Sequence, residues 1–139
     1  NKLIEQREKR KETFHKTIEI TPSSITTTSL DEEFVKKALG CVERNMDNPD
    51  YSLEDLSSEL GLSKTHLNRK LAAIINMKPL QFIRSVRLKR AAQLLVGSQY
   101  NVNEIADMVG FNTLKYFNRY FKEEFGMTPT QYREKNKNV

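Results

Sequence analysis

The sequence has few of the residues that catalysis, metal binding and membrane insertion draw on. Its one cysteine, Cys41, cannot close an internal disulfide, and His15 and His66 as the only histidines leave no metal-ligand cluster. Beside Val42 on a helical pattern, Cys41 is expected to be a buried structural thiol rather than a redox sensor, in a reducing compartment. No apolar run approaches the roughly 18 to 20 residues that cross a bilayer, and the stretch Asn1 to Arg10 is too charged for a secretory signal. The chain therefore reads as cytoplasmic. Glycine-rich phosphate loops, nucleophile motifs and carboxylate pairs beside a base are missing as well. The expectation is a chain that is not an enzyme and has no catalytic residue, metal site or cofactor.

What is present is an uneven distribution of charge. The net charge of +5 is mild, but residues 31 to 59 carry nine acidic and three basic side chains. Residues 60 to 103 carry eight basic ones, Lys64, Arg69, Lys70, Lys78, Arg84, Arg87, Lys89 and Arg90, and no Asp or Glu. A polyanion-binding surface requires such asymmetry, because phosphate neutralisation with counterion release drives nucleic-acid affinity. The competing reading is an ordinary solvated helix face.

At 139 residues there is room for one domain and a short appended segment. Residues 1 to 16 read as a charged helix and residues 17 to 29 as a Ser/Thr-rich tether around Pro22. A first helix is predicted from about Leu30 to Met46, with Phe34, Ala38, Leu39, Val42 and Met46 on one face. The chain then repeats itself. SLEDLSSELGLS (Ser52 to Ser63) aligns with NVNEIADMVGFN (Asn101 to Asn112), and after one inserted residue HLNRKL (His66 to Leu71) aligns with YFNRYF (Tyr116 to Phe121). Further on, Asn76-Met77-Lys78-Pro79 matches Gly126-Met127-Thr128-Pro129, and Phe82 matches Tyr132.

Each copy opens on a cap, Ser52 with Asp55 or Asn101 with Glu104, and its short helix stops at Gly61 or Gly110, where a positive φ costs little. Leu62 or Phe111 plugs the turn, and Ser63 or Asn112 is expected to cap a second helix. This is a helix-turn-helix, present about 52–76 and again about 101–126, with a helix from Pro79 to about Leu95 between. With no half-buried strand pattern outside Thr17 to Ile20, the fold class is all-α: two helix-turn-helix subdomains joined by a long linker helix.

The second helix of each copy has two faces. Leu67, Leu71, Ile74 and Ile75, or Phe117, Phe121 and Phe125, turn inward; Lys64, Thr65, Asn68 and Arg69, or Lys115, Asn118, Arg119 and Lys122, turn out. Arg bonds guanine bidentately, Asn bonds adenine, and Lys and Thr reach phosphates or base edges, so these faces suit the major groove of double-stranded DNA. A helical module that docks on an acidic protein is the alternative, separated by the salt slope of duplex binding.

Gly110-Phe111, Tyr116-Phe117-Asn118-Arg119-Tyr120-Phe121-Lys122, Phe125-Gly126-Met127-Thr128-Pro129 and Tyr132-Arg133 resemble the signature of AraC-type transcription regulators. The resemblance covers roughly Leu30 to Glu134 and implies sequence-specific DNA binding. By position in that motif, base contacts would fall on Thr65, Asn68, Arg69, Leu114, Lys115, Asn118 and Arg119. Ser63, Lys64 and Thr113 would lie near phosphates, and His66 and Lys122 are added to that group. Thr65 is short for direct readout, and Leu114 offers only apolar contact, for instance to a thymine methyl. Upstream, LIEQREKRKETF, the tether and TSLDEEFVKKAL resemble the junction between a receiver domain and the DNA-binding tail of hybrid two-component sensors, which implies missing histidine-kinase parts and a place on the cytoplasmic side of an inner membrane. Expected partners are a DNA operator, RNA polymerase and a second copy through upstream regions, with no small-molecule ligand. A linker helix of about 17 residues, roughly 25 Å long, would set the two reading helices near 34 Å, one DNA turn, apart.

Overall fold

The computed structural model describes residues 28–137. The charged helix expected over residues 1 to 16, and most of the tether, lie outside the described residues. Among the described residues the chain is all-helical. It forms α1 (Ser29–Arg44), α2 (Leu53–Glu59), α3 (Lys64–Ile75), α4 (Pro79–Gly97), α5 (Val102–Met108), α6 (Leu114–Phe125) and α7 (Pro129–Lys135). Two compact units divide within α4, one ending at Val86 and one beginning at Arg87.

In the first unit, α1 starts a residue earlier than its apolar pattern suggests, because Thr28 and Asp31 close a reciprocal capping box. It ends at Arg44, short of Met46, where Asn45 leaves the helical conformation. Phe34, Val35, Ala38, Leu39, Cys41 and Val42 of α1 are buried with Tyr51, Leu56, Leu67, Leu71, Ile74, Ile75, Phe82, Ile83 and Val86 in one core. Met46, Leu53, Leu60 and Leu62 pack against it half-buried. Cys41 is buried as expected, and burial first, then the Glu59 carboxylate, push its pKa up. The same two causes, in the same order, raise the buried phenol of Tyr51. Glu59 is itself held by Arg44 at 3.5 Å and by the Asn45 amide at 3.2 Å, which ties the end of α1 to α2.

Both glycine turns close alike. Gly61 (φ 68°) lets Leu62 N–H donate to the Ser57 carbonyl at 2.9 Å, and Gly110 (φ 84°) lets Phe111 N–H donate to the Ala106 carbonyl at 2.9 Å. These six-to-one bonds satisfy carbonyls that the end of a helix would leave bare.

The second unit has an aromatic core. Phe117 and Phe121 are fully buried; Phe111 meets Phe117 edge-on at 5.3 Å, and Tyr132 of α7 meets Phe121 edge-on at 5.4 Å. Helix α7, which no separate pattern announces, begins on a capping box of Thr128 with Gln131 and has Pro129 in its first turn. Arg133 of α7 donates through Nε to the Leu95 carbonyl at 2.9 Å and through Nη2 to the Ser98 carbonyl at 3.4 Å, bonding the C-terminal end of α4.

Helix α4 runs two residues beyond the predicted end, and Phe82, Ile83, Val86, Leu88, Ala91, Leu94 and Leu95 are buried as their spacing requires. Its arginines correct the charge reading. Arg87 and Arg90 are 6% and 8% exposed, so they do not belong to an open cation field. Arg87 Nη1 donates to the carbonyl of Gly110 at 2.7 Å, and Arg90 bonds the Gln93 amide oxygen. Counting charge along a sequence treats every arginine as exposed, whereas a helix buried on nearly all sides turns some of its guanidinium groups inward onto carbonyls. Burial also lowers the pKa of Arg87, the direction desolvation gives a cation. Substituting Arg87→Met should destabilise the fold by about 2 kcal/mol, the worth of a charge-assisted bond plus an orphaned carbonyl. It should leave the salt slope of DNA binding unchanged. Urea denaturation and a salt titration check this, and a shallower slope with unaltered stability would return Arg87 to the phosphate surface.

Candidate nucleic-acid interface

Two helices carry the residues expected to read DNA, α3 in the first unit and α6 in the second, and each follows a glycine turn. In α3, Ser63 is the N-cap, and its hydroxyl accepts from His66 N–H at 3.1 Å. Leu67, Leu71, Ile74 and Ile75 hold the inner face. Lys64, Thr65, His66, Asn68 and Arg69 are exposed, which places every expected contact of this unit on the open side of one helix. Lys64 Nζ already has an anionic partner, the Glu54 carboxylate of α2 at 2.6 Å. Lys70, between the two faces, lies over the Phe34 ring with Nζ 4.4 Å from its centroid.

Helix α6 repeats the arrangement with differences. Asn112 does not cap it: the residue inserted in this turn moves the N-cap to Thr113, whose side chain makes no capping bond. Thr113 has φ −126° and ψ 127°, against −72° and 159° at Ser63. Lys115, Arg119 and Lys122 are exposed, and Leu114 is 37% exposed at the helix start. Asn118 is half-buried while Asn68 is exposed, so only the arginine of the repeated Asn-Arg pair is presented equally in both units. Arg119 Nε lies 3.5 Å from Glu123 Oε1, and its guanidinium carbon is 5.7 Å from the Tyr120 ring centroid. Both recognition helices end on a left-handed residue, Asn76 (φ 55°) or Gly126 (φ 75°).

One exposed ring shares this face without standing among the expected contacts. Tyr116 is 51% exposed on the outer side of α6, 6.5 Å from Tyr120 between ring centroids. Its counterpart across the repeat is His66, so carrying His66 over the alignment would have found it. Of the eight cations between residues 60 and 103, Lys64, Arg69 and Lys78 are exposed; Lys70, Arg84 and Lys89 are half-buried. Among the described residues no group of three His, Cys, Asp or Glu side chains could hold a metal ion, and no helix is long and apolar enough to cross a membrane.

A family model described as a helix-turn-helix domain matches residues 56–135, more than half of the chain. The chain belongs to the AraC-type helix-turn-helix family. It is 43% identical over 133 residues to histidine kinase P4 of Formosa agariphila, a match that takes in 96% of this chain and 10% of that protein. It also spans only 28–37% of the length of several other curated regulators it matches. Among solved structures, the C-terminal domain of AraT, a response regulator from Geobacillus stearothermophilus, is 28% identical with a TM-score of 0.68, covering 76% of this chain and 87% of that one. The DNA-binding domain of AdpA, a global transcriptional factor solved in complex with a target DNA, is 25% identical with a TM-score of 0.65, covering 78% and 93%. An AraC-type domain is a DNA-binding transcription regulator, and two such helix-turn-helix units are the architecture found here.

The unequal caps of this AraC-type domain give a direct stability test. Ser63→Ala should cost about 1 kcal/mol and Thr113→Ala no more than a few tenths, since only the first removes a capping bond. Equal losses in urea denaturation would show that Thr113 caps α6 in solution.

Proposed function

We propose that this chain is the DNA-reading output of a larger two-component regulator, and that α3 and α6 each enter a major groove, in successive turns of one duplex. The observation that carries the reading is the recurrence of a recognition helix with an exposed arginine at the same register, Arg69 in α3 and Arg119 in α6. Thr65, Asn68, Arg69, Leu114, Lys115, Asn118 and Arg119 are the proposed base-reading residues, and Ser63, Lys64, His66, Thr113 and Lys122 the phosphate-facing ones. The match to one tenth of a histidine kinase and the similarity to a response regulator's C-terminal domain support a place at the end of a phosphorelay. In that setting residues 1–27 tether the domain to upstream parts, which supply any dimer contact. The domain works in the cytoplasm, as the tail of an inner-membrane sensor, with RNA polymerase as the downstream partner.

The two faces differ, Lys64 and Thr65 standing where α6 has Leu114 and Lys115, so one chain is expected to read two unlike boxes rather than a palindrome. Selection of bound duplexes from a random library supplies the site on which this is tested. On it, Arg69→Ala and Arg119→Ala should each cost roughly 1 to 3 kcal/mol and relax preference at a few base pairs. Equal losses on the selected and a random duplex would remove these arginines from base reading. Five base pairs inserted between the boxes turn one to the far side of the duplex, so affinity should fall to near the single-box level. Undiminished binding to the lengthened site would mean that only one unit reads DNA or that the linker bends.

A further inference from the structure

The two exposed arginines sit at the same register but in different company. Arg69 has Ala73 one turn further along α3 and Lys70 next to it, and Lys70 is turned onto Phe34. Arg119 has Glu123 one turn further along α6, with Oε1 3.5 Å from Nε, and Tyr120 next to it, with the ring centroid 5.7 Å from the guanidinium carbon. Glu123 thus places a carboxylate on the outer side of a recognition helix, where phosphates would repel it. Its contact is made to Nε, which leaves both terminal nitrogens of Arg119 open, and those are the nitrogens that bond guanine O6 and N7. A guanidinium biased at Nε by an exposed ion pair and flanked by a ring loses less side-chain entropy when its fork meets a base. A carboxylate clamped on the terminal nitrogens would have had the opposite effect.

We propose that Glu123 is a positioning residue for sequence readout: it fixes the guanidinium of Arg119 with its fork outward and so sharpens base selection by the second unit, while weakening contact with DNA of any other sequence. The proposal rests on the reading that Arg119 addresses a base edge. The carboxylate offsets its own repulsion only where the oriented fork finds a guanine; on other sequences the repulsion stands alone. The first unit, with Ala73 at this place, has an unbraced reader.

The test titrates the 139-residue chain with two labelled duplexes, one selected from a random library by the unsubstituted chain and one of random sequence. Glu123→Ala should weaken the selected duplex about two- to fivefold, the worth of an exposed ion pair. It should tighten the random duplex about twofold, since a negative charge leaves a face that meets phosphates. Opposite signs on the two duplexes are a result that a structural role cannot give, and a matching thermal melt shows that folding is untouched. Glu123→Gln, which keeps an oxygen for Nε, should preserve most of the selected affinity. Placed in Arg119→Ala, Glu123→Ala should move both duplexes by the same factor. If Arg119→Ala costs the selected and random duplexes equally, base reading by Arg119 fails and the positioning role with it. If Arg119→Ala harms only the selected duplex while Glu123→Ala shifts both duplexes together or neither, the reader stands and the positioning role is overturned.

Discussion

Neither the seven-residue helices α2 and α5 nor the twelve-residue helices α3 and α6 would hold their shape alone in water, so what α3 and α6 present depends on the glycine turns that join them to α2 and α5. In each turn a left-handed glycine, Gly61 or Gly110, allows the six-to-one bond, and the residue that makes it, Leu62 or Phe111, is apolar and covered by the core. The geometry is set by main-chain bonds and one plug. The outward positions of α3 and α6 take no part in it, which leaves their side chains free to vary.

The two units fill the space behind this turn in different ways. Aliphatic side chains back α3, whereas Phe117, Phe121 and Phe125 of α6 form a row whose neighbours touch at 5.8 and 4.5 Å between ring centroids, closed by Tyr132. Rings hold fixed edge and face contacts where aliphatic chains hold only volume. The second unit also anchors its turn from α4, through Arg87 on the Gly110 carbonyl, and binds the end of α4 with Arg133. Arginines in this unit therefore do two kinds of work: some fasten carbonyls inside the scaffold, and Arg119 stays outside.

That division explains what the sequence could disclose. The repeat, the caps at Ser52, Ser63 and Asn101, the glycine turns and the apolar faces are local patterns of period and spacing, and all were legible. Direction was not. Arg87 and Arg90 looked like part of a cation field because a count of charges holds no information on burial. The cap of α6 was assigned to Asn112 because the alignment ran gapless through a turn that has one residue more, and the error was a single place. Helix α7 was concealed by its length, since seven residues show too little period, though the Thr128 and Gln131 box was there to read. The spacing of Arg119 and Glu123 was visible as an i, i+4 pair, but which nitrogen it engages only the structure gives. Which positions of α3 and α6 face outward is legible as a set; how far each side chain stands out is not, as the half-buried Asn118 beside the exposed Asn68 makes plain.

Two readers on one chain, as proposed, would also explain why a few outward residues suffice. A face with one arginine, one amide and a lysine or two discriminates poorly by itself, since each bidentate pair is worth only about 1 to 3 kcal/mol. Joined covalently, the second contact becomes intramolecular, and the discrimination of the two faces multiplies instead of competing for separate duplexes. Under that reading, unlike faces also keep the two units from exchanging boxes. A cap bonded at Ser63 but not at Thr113, a lysine at one helix start and a leucine at the other, and a carboxylate beside only one of the paired arginines all break the symmetry that the repeat would otherwise impose. If both units read DNA as proposed, a chain so built would sit on its site in one orientation.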